Sequence, residues 1–140
     1  MSGKTVVLVG TLDTKGDEYV YLRDRLRLHG VNTLLVDVGT LEPPRTEPDI
    51  DRHEVAAAAG VDLDELARVR DRGRAVSAMA QAAAALIRRL YEEDRCDGVL
   101  AAGGSGNTAI ATAAMQALPV GVPKLMVSTV AAGNTRDYVG

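Results

Sequence analysis

Glycine and small polar residues cluster in the stretch GVLAAGGSGNTAIAT at positions 98–112. An apolar run leads into the cluster and a run of small residues follows it, which is typical of a strand, a tight turn and the start of a helix. The first N–H groups of a helix have no partner inside it, and the positive end of the helix dipole favours an anion. We therefore predict that the amides of this turn bind phosphate, together with the hydroxyls of Ser105 and Thr108. The alternative is that the glycines only permit a tight turn and close packing of the helix.

The spacing of the turn argues against two common nucleotide sites. Gly104 to Ala109 matches G-x-G-x-x-A, but a dinucleotide site also needs an acidic residue at the end of the next strand. The next strand, KLMVST at 124–129, has none. A P-loop needs a lysine directly after its last glycine, and here that position is Asn107. Neither a dinucleotide site nor a P-loop is therefore expected.

A second loop with phosphate-binding residues reads GTLDTKG at 10–16. Lys15 is predicted to neutralise phosphate charge, and Thr11 and Thr14 add hydroxyl groups. Asp13 is predicted to hold Mg²⁺ through water, because hard cations prefer oxygen ligands. In the alternative interpretation Thr14 only caps the helix that follows, and Lys15 is a solvated residue of its first turn.

Polar residues also follow the second and fourth predicted strands. Asp37 ends the second strand, 27 positions after Gly10, and in parallel nucleotide-binding sheets an acidic group there accepts hydrogen bonds from ribose hydroxyls. The alternative for Asp37 is a turn residue ahead of Gly39. The last loop is predicted to close over the ligand, with Arg136 either paired with phosphate or solvated. The polar residues of that loop are Ser128, Thr129, Gly133, Asn134, Thr135 and Arg136.

These loops need regular elements to bring them together, and the apolar pattern predicts an alternating set. Continuous aliphatic runs are typical of strands buried on both faces, and they lie at 4–10, 31–38, 96–102 and 124–129. Helical spacing and capping residues predict helices at 15–29 and 71–94, two short helices that start at Asp51 and Asp62, and a last helix that ends at Leu118.

The alternation of strand and helix predicts an α/β, Rossmann-like three-layer sandwich with a four-stranded parallel sheet. We favour the strand order 2-1-3-4 over a meander such as 1-2-3-4. The winding direction then reverses between strands 1 and 3, and ligands bind outside the carboxyl ends of strands at such a point. That order places the 10–16 loop beside the 103–108 loop.

Composition is typical of a globular domain and disfavours several functions. The 140 residues suit one domain, of which 46% are hydrophobic and 25% charged. A net charge of −3, no basic block and few aromatic residues argue against direct nucleic-acid binding. The single Cys96 excludes an internal disulfide, and the spacing of His29 and His53 matches no metal or triad pattern. No signal-peptide pattern or membrane-length apolar run is present, so a cytoplasmic location without membrane contact is expected.

Four motifs along nearly the whole chain resemble those of a known family. They are VGTLDTKGDE at 9–18, DVGT at 37–40, AGGSGNTAIATAAMQALPVGVPKLMVST at 102–129 and AAGNTRDYVG at 131–140. They are similar to the ATP-binding N-terminal domain of the tomato mosaic virus resistance protein family. The resemblance implies a Rossmann-like domain that binds ATP with Mg²⁺. Carried over by motif, it implies ligand contacts from Thr11, Asp13, Lys15, Asp37, Gly39, Gly103, Gly104, Ser105, Gly106, Asn107, Thr108, Thr129, Gly133, Asn134 and Thr135.

The chain departs from that family in two respects. Its turn reads GGSGNT where the family usually has GGSGGT, so Asn107 replaces a glycine, and asparagine tolerates left-handed backbone better than most residues. Family members continue into a second, larger domain, so residues 1–140 are expected to be a single nucleotide-binding domain at the N-terminal end of such a protein. An exposed sheet edge invites pairing with another chain, and we therefore expect a homodimer or contact with the companion domain.

The sequence thus predicts an ATP-binding module whose phosphates lie between the 10–16 loop and the 103–108 loop. Two alternatives remain open. The domain is either the phosphate-holding part of a small-molecule phosphotransferase or hydrolase, or a protein-interaction module whose binding surface depends on the nucleotide.

Overall fold

The computed structural model describes residues 3–134, 136 and 138, and these residues contain one parallel sheet of four strands. The strands are β1 Thr5–Gly10, β2 Asn32–Asp37, β3 Gly98–Gly103 and β4 Lys124–Ser128. Their order is β2-β1-β3-β4, which confirms the predicted order. Every pair of neighbours is parallel, and β1 lies between β2 and β3.

Helices cover the sheet on both faces, which confirms the three-layer arrangement. They are α1 Leu12–Leu28, α2 Arg52–Ala57, α3 Leu63–Val69, α4 Arg72–Glu92 and α5 Ser105–Gln116, and a 3₁₀ turn spans Thr129–Ala132. α1 packs on one face through Leu12 and Tyr19. α4 and α5 pack on the other face over the larger core, and α2 and α3 lie against α4.

Among the helices of the described residues, none has the length and apolar character that crossing a membrane requires.

The central strand is apolar at successive positions because helices cover both of its faces. Successive side chains of a strand point to opposite faces of the sheet. In β1, Val7 and Val9 belong to the core under α4 and α5, whereas Leu8 belongs to the core under α1. All three side chains are fully buried. The uninterrupted aliphatic run therefore follows from the position of β1 in the sheet.

The first helix begins earlier than the sequence indicated. We predicted a start at Lys15 with Thr14 as its cap, but α1 begins at Leu12, and Lys15 forms a kink within it (φ −122°, ψ 25°). The Thr11 side chain, at the N-cap position, makes no capping hydrogen bond. The Asp37 carboxylate at the end of β2 accepts a hydrogen bond from the Leu12 N–H at 3.2 Å instead. A partner from another strand has no local sequence signature, so the turn of α1 that precedes the kink at Lys15 was not predicted.

Two short helices follow the loop after β2, as their capping residues predicted. Asp51 accepts a hydrogen bond from the His53 N–H at 2.7 Å, and Asp62 accepts from the N–H groups of Asp64 and Glu65. The His53 ring lies 3.1 Å from Asp51 and 3.2 Å from Asp64. The hydrogen bond to Asp64 is the main cause that raises the pKa of His53. These contacts tie α2 to α3.

β4 forms an edge of the sheet in the described part of the chain. Leu125 and Val127 on this strand are 58% and 57% exposed. Their partners on β3 are Leu100 and Ala102, and Leu100 packs partly against the core under α1. On the face of the sheet that α1 covers, β4 therefore presents apolar side chains to solvent.

The Tyr19 side chain joins β1, β3 and α5 at one point. Its hydroxyl donates to the Val9 carbonyl at 2.6 Å and accepts from the Ala102 N–H at 2.9 Å and the Asn107 side-chain amide at 3.0 Å. The ring lies across Gly10, where a Cβ atom would stand 2.3 Å from a ring carbon. Burial raises the pKa of the hydroxyl to about 12, so it stays protonated at neutral pH. One side chain therefore holds together the ends of the two strands from which the glycine-containing loops start.

We expect Tyr19→Phe to lower the free energy of unfolding by about 1–3 kcal/mol, because it leaves buried polar groups of Ala102 and Asn107 without this partner. Urea denaturation of variant and wild type measures the difference. Tyr21→Phe is the matched control, since Tyr21 is 64% exposed. Equal stability of Tyr19→Phe and the wild type would contradict the role of the hydroxyl.

Candidate functional site

A cleft of about 250 Å³ opens at the carboxyl edge of the sheet, where the loop after β1 meets the turn after β3. The winding of the chain reverses between these two strands, and open α/β sheets bind ligands at this position. The structure thus brings together the two loops that the sequence placed side by side. The cleft is lined by Thr11, Asp13, Thr14, Lys15, Thr40, Leu41, Arg72, Val76, Gly104, Ser105, Gly106, Asn107 and Ile110.

The turn after β3 supplies helix N–H groups to this cleft. α5 begins at Ser105 with Gly104 as its N-cap, and no side chain of the described residues caps it. The Thr108 N–H donates to the Gly104 carbonyl at 2.9 Å, whereas the N–H groups of Ser105, Gly106 and Asn107 have no acceptor inside the helix. A Cβ atom on Gly106 would have no atom within 4 Å, so the turn is open at this residue. Such an open helix start favours an anion.

The three glycines of the turn have different surroundings. A Cβ atom on Gly103 would lie 3.0 Å from the Asn107 Cβ, so glycine permits close helix packing here, as the alternative interpretation held. Gly104 and Gly106 line the cleft instead. The nearest atom to a Cβ on Gly104 would be the Thr129 hydroxyl oxygen, at 3.9 Å. Glycine at position 103 is therefore explained by close packing of the helix, whereas Gly104 and Gly106 keep the cleft open.

Asn107 and Thr108 use their side chains to hold the turn. Asn107 is 3% exposed, and its amide donates to the Tyr19 hydroxyl and the Ala102 carbonyl, both at 3.0 Å. Its backbone is part of α5 and is not left-handed. Asparagine is therefore not needed at this position for its tolerance of a left-handed backbone, which the sequence had suggested. The Thr108 hydroxyl, predicted to contact phosphate, donates to the Gly104 carbonyl at 2.6 Å. Both side chains stabilise the turn from within.

Thr11, which directly follows β1, and the first residues of α1 contribute two hydroxyls and one cation. Thr11, Thr14 and Lys15 all line the cleft, and the two threonine hydroxyl oxygens are 3.1 Å apart. The Lys15 ammonium lies 3.8 Å from the Glu18 carboxylate, and both side chains are about half exposed. Exposed ion pairs of this kind contribute little. The pair with Glu18 therefore does little to hold Lys15 away from an anion in the cleft.

Two buried carboxylates support the loops under the cleft. Asp37 is fully buried, and its Oδ1 accepts hydrogen bonds from the N–H groups of Leu12 at 3.2 Å and Gly39 at 2.9 Å. Asp13 is 4% exposed, and its Oδ2 accepts from the N–H groups of Leu41 and the residue after it, both at 3.2 Å. The two side chains therefore fix the backbone of the loops after β1 and β2.

Gly39 allows these two carboxylates to approach each other. A Cβ atom there would lie 2.9 Å from Asp13 Oδ1 and 3.1 Å from Asp37 Oδ1. Asp13 Oδ1 and Asp37 Oδ2 are buried, and among the described residues they have no hydrogen-bond partner. Burial, with a smaller effect of the Asp13 charge, raises the pKa of Asp37, against the opposing effects of its N–H donors and of Arg52. Asp37 does not line the cleft, and its surroundings match the turn role that the sequence left open.

The described residues of the polar loop after β4 do not line the cleft. Thr129 is near the glycine turn, as its hydroxyl is the closest atom to a Cβ built on Gly104. Asn134 turns back on its own loop, where its side-chain oxygen accepts from the Arg136 N–H at 3.1 Å. Neither Thr129, Asn134 nor Gly133 lines the cleft. Thr135 lies outside the described residues.

Arg72 lines the cleft and was missed by the sequence analysis. It is the first residue of α4, and Val76, one turn further along the same helix, lines the cleft with it. No local motif marks Arg72 as a phosphate ligand. The strand order did contain the signal, because a helix that follows a parallel strand starts at the carboxyl edge of the sheet. The first turn of α4, which follows β2 through α2 and α3, was therefore a candidate for the site.

The lining of the cleft favours anions. Lys15 and Arg72 provide two cations, and the start of α5 provides the positive end of a helix dipole. Among the described lining residues, Asp13 is the one with an acidic side chain. One of its carboxylate oxygens already accepts hydrogen bonds from two N–H groups. Over residues 3–134, 136 and 138, no group of three or more His, Cys, Asp or Glu side chains is arranged to hold a metal ion. The arrangement can bind an anion through backbone amides and charge-assisted hydrogen bonds.

We expect Asp37→Asn to keep or raise the free energy of unfolding at pH 8, because the amide oxygen still accepts from Leu12 and Gly39 and the charge beside Asp13 is removed. Burial raises the folded-state pKa of Asp37, so the wild type loses stability relative to this variant as the pH rises. The difference is smallest below about pH 3, where the carboxyl group is mostly protonated in both states.

Denaturation curves between pH 4 and pH 8 measure this effect, and Asp37→Ala is the comparison. That variant removes the acceptor of two N–H groups and is expected to cost about 1–3 kcal/mol. If Asp37→Asn were as destabilising as Asp37→Ala at pH 8, the proposed arrangement of these hydrogen bonds would be wrong.

Comparison with known proteins gives the family. Residues 4–140 match the family described as "Uncharacterised protein family (UPF0261) N-terminal domain". A UPF0261 protein of Clostridium tetani is 44% identical over 137 residues, which cover 98% of this chain and 34% of that protein. A UPF0261 protein of Rhizobium meliloti is 43% identical over 136 residues, which cover 97% of this chain and 33% of that protein.

A plant protein is a more distant relative. The protein of Solanum lycopersicum named ToMV susceptible protein tm-1(GCR26) is 31% identical over 150 residues, which cover 96% of this chain and 20% of that protein. This chain thus spans about a third of the length of the two bacterial relatives and about a fifth of the tomato protein. The sequence motifs, the parallel sheet and these matches agree, and the chain belongs to the uncharacterised protein family UPF0261, to whose N-terminal domain it corresponds.

Proposed function

We propose that this domain binds a nucleotide, with ATP and Mg²⁺ as the ligand, and that the cleft holds the phosphates. The observation that carries the proposal is the uncapped first turn of α5, which lines a cleft that also contains Lys15 and Arg72. Backbone N–H groups at a helix start and neighbouring cations are a recurring phosphate-binding arrangement. The resemblance of the motifs to an ATP-binding domain family supports the same ligand.

The apolar part of the cleft favours an organic phosphate over inorganic phosphate. Leu41, Val76 and Ile110 line it beside the polar groups, and ligand sites typically combine apolar walls with a few placed polar groups. Its volume of about 250 Å³ is just under the range of roughly 300–1,000 Å³ that is usual for small-molecule sites. We therefore assign the cleft to the phosphate end of the ligand, with the remainder of the ligand outside it.

In this proposal Mg²⁺ arrives with the phosphates and is not a resident ion. Asp13 has one oxygen bonded to two N–H groups and another, Oδ1, with no partner among the described residues. Magnesium in nucleotide sites keeps several waters and uses only one or two carboxylates besides the phosphates. The donor set fits an ion held by the phosphates, with Asp13 contacting it through water.

Calorimetric titration of Mg·ATP into the protein tests the proposal. We expect Gly106→Val to abolish binding and to leave stability near that of the wild type, because the added side chain meets open space in the fold but stands where the phosphates bind. Lys15→Ala is expected to weaken binding about tenfold, which is the effect of losing one charge-assisted hydrogen bond.

The matched control is Lys4→Ala, which removes the same charge from an exposed residue just before β1, at the opposite edge of the sheet. It is expected to bind Mg·ATP like the wild type. If the wild type gave no heat and no thermal shift with millimolar Mg·ATP, the proposal would be rejected.

Protein contact through the open edge of the sheet is a second candidate function. β4 has β3 as its neighbour on one side, and its exposed side chains Leu125 and Val127 are apolar. Lys124 at the start of β4 is its one charged residue, and the rest of the strand is uncharged. The unpaired N–H and C=O groups of such an edge are a template for pairing with another strand. This observation favours a homodimer in which the β4 strands of the two copies pair with each other.

We expect size-exclusion chromatography with light scattering to show a dimer, and Val127→Lys to convert it to a monomer, because a lysine at an edge strand opposes pairing. Val120→Lys is the control, since Val120 is fully exposed in the loop before β4. A wild type that stays monomeric at every concentration would contradict the dimer.

A further inference from the structure

A second cavity, of about 230 Å³, adjoins the phosphate cleft, and we call it the side cavity. It shares Thr40, Leu41 and Arg72 with the cleft, so the two spaces meet along these residues. The rest of its wall comes from α3 and the first turn of α4. Its apolar lining consists of Leu41, Leu66, Ala67 and Ala75.

The side cavity differs from the cleft in chemistry. The cleft has hydroxyls, backbone N–H groups and two cations beside its apolar residues. The side cavity combines its four aliphatic residues with Thr40, Arg70, Asp71 and Arg72, so that its charged groups come from the junction between α3 and α4. Leu41 stands between them and is 57% exposed, although apolar side chains gain free energy when they are covered. A ligand that extends from the cleft into the side cavity would cover this leucine.

The junction between α3 and α4 forms part of the side cavity, since Arg70 and Asp71 line it. Arg70 ends α3 with a left-handed backbone (φ 56°), a conformation that is costly for residues other than glycine. Asp71 then caps α4 by accepting a hydrogen bond from the Arg74 N–H at 3.0 Å. This turn sets α3 beside the first turn of α4, and it brings Ala67 and Arg72 to the same cavity.

Arg72 is suited to the junction between the two spaces. Its guanidinium group is planar and always charged, so its N–H groups can bind phosphate while its flat face stacks on an aromatic ring. A lysine at the same position could provide only the charge. Of the three residues that line both spaces, Arg72 is thus the one whose side chain can contact both the phosphates and the base of a nucleotide.

We propose that the side cavity is the subsite for the base of the nucleotide whose phosphates occupy the cleft, an inference that rests on the proposed function. A base has flat, weakly polar faces, which match the walls formed by Leu41, Leu66 and Ala67. Its attachment to phosphates through ribose matches a cavity that adjoins the cleft. The ligand of this domain is therefore a nucleotide with a bound base, and the base contributes to affinity.

The experiment compares Mg·ATP with magnesium and inorganic triphosphate in calorimetric titrations of the wild type and of Ala67→Leu. Ala67 is exposed on α3, so a leucine there fills the side cavity without entering the core. We expect the wild type to bind ATP at least tenfold more tightly than triphosphate. Ala67→Leu is expected to reduce ATP affinity to that of triphosphate and to leave triphosphate affinity unchanged.

Ala57→Leu is the matched control, because it makes the same change at an exposed residue of α2 that does not line the side cavity. Leu41→Ala is a second test, expected to weaken ATP more than triphosphate by removing the wall between the two spaces. A thermal melt of each variant shows that it is folded.

The outcomes separate the two proposals. Equal affinity for ATP and triphosphate, or an equal loss of both in Ala67→Leu, would overturn the base subsite and leave phosphate binding in the cleft standing. Binding of neither compound by the wild type would overturn the proposed function and the base subsite with it.

Discussion

The position of the candidate site depends on the buried hydroxyl of Tyr19. This group is bonded to β1 through the Val9 carbonyl, to β3 through the Ala102 N–H and to α5 through the Asn107 amide. Strands β1 and β3 pair directly only from Val6 to Leu8, so beyond that point the Tyr19 side chain replaces the missing main-chain contacts. Gly10 is required because the ring occupies the space of its side chain. The two loops that meet at the cleft start from the strand ends joined in this way.

Buried polar groups hold the loops, and this leaves the helix start of α5 available to a ligand. Asp37 and Asp13 bond the N–H groups of the loops after β1 and β2, and the Thr108 hydroxyl bonds the Gly104 carbonyl. Burying two carboxylates side by side carries an electrostatic cost, which appears as the raised pKa of Asp37. The N–H groups of the first turn of α5 are not used in this way, since no side chain within the described part of the chain caps the helix. An anion in the cleft would satisfy them.

The architecture was predictable from the sequence because it follows from local patterns and general topology. Aliphatic runs and helix caps identified the elements, and the reversal of winding placed the two loops together. What could not be predicted were contacts between residues distant in the chain. The start of α1 depends on Asp37, which is 25 positions from Leu12, and Asn107 bonds Tyr19 across 88 positions. Arg72 lines the cleft because α4 starts there, and no sequence motif indicates this role.

The proposed function requires that the first turn of α5 binds the phosphates of a nucleotide. Amide chemical shifts of the isotopically labelled protein, recorded by NMR during a titration with Mg·ATP, test it at the level of single N–H groups. The largest shifts are expected at Ser105, Gly106 and Asn107, with smaller shifts at Lys15 and none in β4. Shifts that are absent, or that occur elsewhere while the amides of this turn stay unchanged, would contradict it.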